Sequence, residues 1–329
     1  MSSFKDITIK ENAEIFLNKL DGNSLLIYSD TSMKKINFNN ENTNKINWHD
    51  ISKDISNINY LISNNEKISQ VVSFGGGSVI DIAKYMSYKM GVRHVCIPSM
   101  LSTNSYATNK VALIDGGNKM TMDAKLPDCV IVDCDLLKKS VTENLYGLAD
   151  VLSIYTALQD WEIASKDINE NMDEDVYKMS SELLWEVLDF IFDNSLDKIS
   201  NNIEQLYDYI GVSGHITNLY GTGRPESGSE HIFAKMMESK IDVPHGIAVS
   251  FGIILMSITQ EIPVDKIIDA IKKIQVLNAS STYGVNNSII EESFMSLTPR
   301  KNRYTIIDRV YGDNNYKKEK LKVFHEKYN

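Results

Sequence analysis

A chain of 329 residues, 43% of them hydrophobic and 24% charged, can bury a sizeable core and has room for two domains. Its formal net charge of −10 has the wrong sign for a general nucleic-acid binder, which needs a basic face to neutralise phosphates. Cys96, Cys129 and Cys134 sit in or beside apolar runs without a C-x-x-C spacing, which argues against a disulfide framework or a thiolate zinc site. That pattern, a first segment without a signal-peptide core and the lack of any span-length apolar run predict a cytoplasmic protein with no membrane insertion.

In chain order, Leu25 to Ser29 is a short apolar run ending at Asp30, the pattern of a parallel strand entering a loop at the carboxyl edge of a sheet, where ligands bind. Asp30 can accept hydrogen bonds from a ribose or cap the next turn; both readings stay open. Residues 35–57, rich in Asn, Asp and Lys, read as surface structure with one weak strand. Val71 to Lys84 then reads as a buried strand, a glycine turn at Gly75-Gly76-Gly77-Ser78 and the first turns of a helix. Three glycines let backbone N–H groups approach an anion, and a helix N-terminus adds unpaired donors, so the turn suits a cofactor pyrophosphate. It is not the G-x-G-x-x-G fingerprint, and a tight connection is the alternative.

Further strands are expected at His94–Pro98, Val111–Ile114 and Cys129–Asp133, giving a mainly parallel sheet. Between the first two of these, Ser99 to Asn109 is a loop dense in hydroxyls and amides, able to grip a cofactor without adding charge. Near residue 139 the texture changes to helical spacing. Asp175 to Phe192 carries a stripe of Val176, Met179, Leu183, Leu184, Val187, Leu188 and Ile191, with Phe190 on the same face. Ile247 to Ile258 is apolar nearly all round, the pattern of a buried helix. The expected domains are therefore an α/β unit over 1–139 and a helical unit over 140–329.

In the helical half, Asp150, His231 and His245 stand out as potential metal ligands. Two imidazoles and a carboxylate suit a catalytic Zn²⁺ and also hold Fe²⁺. The histidines are fourteen residues apart, so no local motif proves a site, and each also reads as a hydrogen-bonded structural residue. His49, His94, His215 and His325 have no comparable setting.

With these residues in hand, the chain resembles the superfamily of glycerol-1-phosphate dehydrogenases, glycerol dehydrogenases, iron-dependent alcohol dehydrogenases and dehydroquinate synthases, the first group looking nearest. The segments that carry the resemblance are Gly75 to Asp81, Gly147 to Trp161, Ser227 to His231, Pro244-His245-Gly246 and Arg303 to Ile307. The resemblance implies a Rossmann-like domain with a mainly parallel sheet, followed by an all-helical domain, with the active site in the cleft between them. It implies that Gly75, Gly76, Gly77, Ser78 and Asp81 surround the pyrophosphate, and that Ser99, Ser102 and Thr108 line the nicotinamide side. Asp30 would meet the adenosine ribose and favour NAD, with NADP still open. Asp150, His231 and His245 would bind one divalent metal, Zn²⁺ ahead of Fe²⁺, and form the catalytic centre. Hydride transfer between the cofactor and a small keto or hydroxy compound follows, with glycerol-1-phosphate and dihydroxyacetone phosphate as the expected pair, in a homo-oligomer.

Two departures from the resemblance bear on the substrate. Asn104 stands where polyol and glycerol phosphate members carry an Asp, and Lys235 stands four residues after His231 where they carry a second His. Asn104, Asp150 and Lys235 are the expected substrate contacts, and an inward Lys235 would favour a phosphorylated substrate. Other polyol or alcohol oxidation, and sugar phosphate cyclisation of the dehydroquinate synthase type, are the alternatives; Gly116-Gly117-Asn118-Lys119 only loosely echoes the Gly-Gly-Lys segment of the cyclases.

Overall fold

The computed structural model describes residues 4–51, 53–65 and 67–328. The chain divides into two compact units. One holds the residues up to Asn144 together with Ile203–His215, and the other holds Leu145–Asn202 together with Ile216 onward.

The first unit is built on a six-stranded parallel sheet. Its strands are β1 (Thr8–Lys10), β2 (Ser24–Tyr28), β3 (Asn44–Asn47), β4 (Gln70–Gly75), β5 (Arg93–Pro98) and β8 (Cys129–Val132), in the order β1-β8-β5-β4-β2-β3. The central strands β4 and β5 are buried on both faces after their first residue, which is why they read as largely apolar runs, with Ser73 and His94 as the buried polar exceptions. Side chains alternate between two cores: Leu25, Ile27 and Val71 pack with Val79, Ile82 and Met86, while Leu26, Val72 and Phe74 pack with Val95, Ile97 and Ile131. Tyr28 lies opposite Phe74, and Gly75 opposite Pro98. The register therefore brings Asp30, the glycine turn and the Ser99 loop to the same carboxyl edge.

One expected strand belongs elsewhere. Val111–Ile114 lies in β6 (Lys110–Asp115), which pairs antiparallel with β7 (Asn118–Asp123) in a separate two-stranded sheet. Gly116 and Gly117, with φ of 55° and 81°, form the two-residue turn, a conformation that strongly favours glycine at both positions. Only Val111 and Leu113 of β6 are buried, as expected for a hairpin with one covered face.

Ile203–His215, read from the sequence as part of the helical half, joins the first unit through close contacts. A Cβ on Gly211 would lie 2.4 Å from the Phe4 ring, so glycine is required for that approach. Tyr106 Oη donates to the Tyr207 carbonyl at 2.6 Å, and the two rings stack with centroids 4.6 Å apart.

The regular elements of the second unit are helices. At its centre is His245–Thr259, in which every residue from Gly246 to Thr259 is buried. Glycine sets its spacing from its neighbours: a Cβ on Gly252 would lie 2.6 Å from the Glu230 carbonyl, and one on Gly246 would lie 2.5 Å from Tyr146 Cβ. The stripe of the Glu174–Asp193 helix is buried at Val176, Leu183, Leu184, Val187, Leu188 and Ile191, with Ser180 in place of the half-buried Met179 and Phe190.

Candidate functional site

At the carboxyl edge of the parallel sheet, β4 runs into the Gly77–Met90 helix through Gly76, whose position as N-cap brings no side-chain hydrogen bond. The first N–H groups of that helix are thus left for an anion, with the positive end of the dipole behind them. The glycines also answer to packing. A Cβ on Gly75 would lie 2.5 Å from the Val79 side chain, one on Gly76 3.0 Å from Met100 Sδ, and one on Gly77 2.7 Å from Thr103 Oγ1 and 3.1 Å from Ser105 Oγ. The Ser99–Asn109 loop therefore lies directly on the turn. Thr103 and Ser105, hydrogen-bonded to each other at 2.9 Å, are neighbours of the turn that the sequence reading did not single out among the loop's hydroxyls.

The other residues expected at the cofactor fall into two groups. Asp30 is exposed at the start of the Asp30–Met33 turn of helix, which Ser29 caps, while Ser78 and Ser102 are half-buried near the same edge. Asp81, Ser99 and Thr108 are buried and hydrogen-bonded within the fold. Asp81 Oδ2 accepts from Ala112 N at 3.0 Å, the Ser99 hydroxyl pairs with that of Ser32 at 2.7 Å, and Thr108 Oγ1 accepts from Lys110 N at 3.2 Å. For these three, the structure shows a part in holding the edge together. Asn104 is half-buried in the loop, with Nδ2 3.5 Å from Ser213 Oγ and Cβ close to the α-carbon side of Gly214.

In the helical unit, Asp150, His231 and His245 come together. One ligand atom from each lies within 4.8 Å of the others. Asp150 Oδ1 is 3.2 Å from His231 Nε2 and 3.6 Å from His245 Nε2, yet it is buried and makes no hydrogen bond. Each imidazole has its other nitrogen occupied: His231 Nδ1 donates to Glu230 Oε1 at 2.8 Å, and His245 Nδ1 to Glu238 Oε1 at 2.5 Å. An unpartnered carboxylate oxygen facing two Nε2 atoms, with a carboxylate behind each ring, fits a divalent cation with further coordination positions open. Burial disfavours charge on His231, but the carboxylates of Asp150 and Glu230 outweigh it and push its pKa up to about 10. Burial would likewise raise the Asp150 pKa, and the two imidazoles hold it below the usual range. The cluster thus favours positive charge at its centre.

Residues 6–140 match the family model of iron-containing alcohol dehydrogenase. A glycerol-1-phosphate dehydrogenase (NAD(P)+) of Sulfurisphaera tokodaii is 31% identical over 249 residues, covering 73% of this chain and 70% of that protein. The chain belongs to the glycerol-1-phosphate dehydrogenase family. The protein of the same name from Pyrococcus horikoshii is 30% identical over 248 residues, with 74% and 71% covered, and that of Methanococcus aeolicus is 25% identical with 92% of each covered. Among solved structures, a probable glycerol dehydrogenase from Sinorhizobium meliloti 1021 superposes with a TM-score of 0.69 at 15% identity, over 97% of this chain and 96% of that one. A sulfoacetaldehyde reductase from Bifidobacterium kashiwanohense in complex with NAD+ gives 0.61 at 12% identity over 98% and 96%, and both likenesses show the fold.

Several segments that carried the resemblance to this family meet behind His231. Asp160 Oδ2 accepts from Ser229 N at 2.6 Å and Oδ1 from Ile306 N at 2.8 Å, clamping the start of the Ser229–Glu238 helix to the Arg303–Ile307 segment. Arg303 Nη1 donates to the carbonyls of Gly223 and Ser227. Glu230 also accepts from Gly228 N at 2.5 Å and from Thr156 Oγ1 at 2.8 Å. Asp160, Glu230, Thr156 and Arg303 lie inside the segments that carry the resemblance, and only the folded structure shows what they hold. Glu238 lay outside them, and its one sequence signal is its place seven residues after His231, two turns along the same face.

Proposed function

We propose that this chain is an NAD(P)-dependent, metal-containing dehydrogenase that interconverts sn-glycerol-1-phosphate and dihydroxyacetone phosphate. The observation that carries the reading is the buried, unpartnered Asp150 Oδ1 facing the Nε2 atoms of His231 and His245, in a chain of the glycerol-1-phosphate dehydrogenase family. Asp150, His231 and His245 hold the ion, Zn²⁺ ahead of Fe²⁺ in our reading, although one carboxylate and two imidazoles suit both. When bound, the ion supplies Lewis-acid polarisation at the substrate oxygen and the dinucleotide supplies or accepts hydride.

The chain's own residues bind and orient. Gly76, Gly77 and Ser78 present N–H groups to the pyrophosphate, and Asp30 meets the adenosine ribose and favours NAD. Ser102 lines the nicotinamide side, while Ser99 and Thr108 fix the loop that carries it. Asn104 hydrogen-bonds a substrate hydroxyl but cannot take its proton. Lys235, one turn after His231 on its helix, offers a fixed cation to the phosphate. Oxidation moves two electrons and a hydrogen from the carbinol carbon to the nicotinamide and releases the hydroxyl proton. The cyclase alternative carries less weight, because Gly116-Gly117-Asn118-Lys119 only loosely echoes the Gly-Gly-Lys segment of the cyclases and the relatives are named as glycerol-1-phosphate dehydrogenases. All three cysteines are free, which supports a reducing, cytoplasmic setting; among the described residues no helix is long and apolar enough to cross a membrane.

The test is turnover of dihydroxyacetone phosphate against dihydroxyacetone with NADH and NADPH, after loading with Zn²⁺ or Fe²⁺. The phosphorylated ketone should be preferred by about tenfold or more in kcat/KM. His231→Ala should lose turnover. Equal use of both ketones, or full activity in His231→Ala, overturns the reading.

A further inference from the structure

The Ser229–Glu238 helix has a double relation to the metal cluster. It carries His231 near its start, and at its end it carries Glu238, whose Oε1 accepts from Nδ1 of His245 at 2.5 Å. His245 is the first residue of the next helix, following Pro244, and its ring lies at an element boundary where no side-chain cap fixes the turn. A carboxylate oxygen can only accept, so Nδ1 carries the hydrogen of that bond, and Nε2, 3.6 Å from Asp150 Oδ1, is the nitrogen left to ligate a metal with its lone pair.

We propose that Glu238 is a positioning residue of the metal centre, fixing the tautomer and orientation of His245 so that Nε2 converges with His231 Nε2 and Asp150 Oδ1. This rests on reading Asp150, His231 and His245 as metal ligands. One helix then delivers one imidazole directly and sets the other through its carboxylate, so the two nitrogens keep a fixed spacing. Glu230 holds His231 in the same way. Its additional bonds to Gly228 N and Thr156 Oγ1, and its complete burial, make its replacement disturb the turn at Gly228 as well. Glu238 is the less buried member of the pair: its side chain keeps 12% of its surface exposed, and that of His245 keeps 30%.

The experiment measures Zn²⁺ affinity of the full-length protein by competition with a chromophoric chelator, without substrate or dinucleotide. Glu238→Ala should weaken binding by about 10- to 100-fold. Glu238→Gln, whose amide oxygen still accepts from Nδ1, should recover most of that loss, and the melting midpoints of the metal-free proteins should agree. If the alanine variant does not fold, Glu238→Asp, which keeps the charge but withdraws the oxygen, should show the weak binding instead. Wild-type affinity in Glu238→Ala, alongside lost binding in His245→Ala, overturns the role of Glu238 and leaves the ligand set standing. A glutamine variant as weak as the alanine one overturns positioning in favour of charge alone. Equal binding by wild type and His245→Ala overturns the ligand set itself, and the proposal with it.

Discussion

Lys84 Nζ donates to the backbone carbonyl of Thr108 across 2.8 Å, with the whole lysine side chain buried. A second bond of the same length reaches the carbonyl of Lys110, and Asp81 Oδ1 lies 3.9 Å away. Burial lowers the pKa of Lys84, and the carboxylate of Asp81 opposes that shift. Since Lys84 sits on the helix that begins at the glycine turn, its ammonium ties that helix to the far end of the Ser99–Asn109 loop. Asp81 completes the tie by accepting from Ala112 N.

Lys84→Met keeps the length and packing of the side chain but leaves the buried Thr108 carbonyl, the half-buried Lys110 carbonyl and the Asp81 carboxylate without their cation. The expected loss is about 3–5 kcal/mol of unfolding free energy, the scale for breaking a buried pair on one side. Urea denaturation reads it as a lower midpoint with the same slope. A shift below roughly 1 kcal/mol contradicts the role given to the ammonium.

The glycine turn makes a graded prediction. A methyl group on Gly77 presses on Thr103 Oγ1 and Ser105 Oγ, two short side chains already bonded to each other, whereas one on Gly76 meets the thioether of Met100, which can swing aside. Gly77→Ala should therefore shift the loop and weaken NADH binding by about tenfold or more, while Gly76→Ala should cost less than about threefold. Fluorescence titration of NADH measures both, and the reverse ranking refutes the packing argument.

The contrast between legible and hidden parts of this chain has physical causes. β4 and the His245–Thr259 helix are plain from the sequence because burial on every side demands nearly continuous apolar runs, and Val71 to Phe74 and Ile247 to Ile258 are such runs, broken only by small residues such as Ser73, Ser250 and Ser257. Val111–Ile114 looked like another sheet strand because an apolar run states that a segment is covered, not which strand it pairs with. The Gly116-Gly117 signal for a hairpin is present, but β7 carries only Met120 and Met122 among polar residues, too short an alternation to mark the partner. β1 was missed since three residues with Ile9 half exposed carry almost no pattern. The residue types of Asp150, His231 and His245 stood out by themselves. Glu238 did not, because an acidic residue near a helix end usually faces solvent, and only the folded position of His245 gives it a partner.

Asp30 bears on cofactor choice. It is exposed beside the carboxyl end of β2, so a 2′-phosphate on the ribose it is proposed to meet would bring like charges together. Asp30→Asn should raise the ratio of NADPH to NADH use, as kcat/KM, by about tenfold. Because the site is open to solvent, the wild-type discrimination should shrink as ionic strength rises. A ratio unmoved by the substitution places the ribose elsewhere.

Asp160 supplies a pH dependence with a definite sign. Its carboxylate is fully buried; that burial, then the charge of Glu230, pushes its pKa up to about 6, against the pull of the N–H groups of Ser229 and Ile306. The folded-state pKa lies above the unfolded one, near 3.9 for an ordinary Asp. The folded protein therefore binds more protons between the two values, and the stability this group contributes is complete below about pH 4 and lost as the pH rises through about 6. A shift of about two units corresponds to roughly 3 kcal/mol. Asp160→Asn removes the titration at the cost of one of the two accepted backbone bonds, about 1–3 kcal/mol independent of pH. Urea unfolding of the metal-free proteins from pH 4 to 7 should show the wild type falling relative to the variant by roughly 2 kcal/mol and then running parallel to it. A difference that is flat across this range would mean that Asp160 stays ionised in the fold, with the N–H groups of Ser229 and Ile306 outweighing both its burial and Glu230.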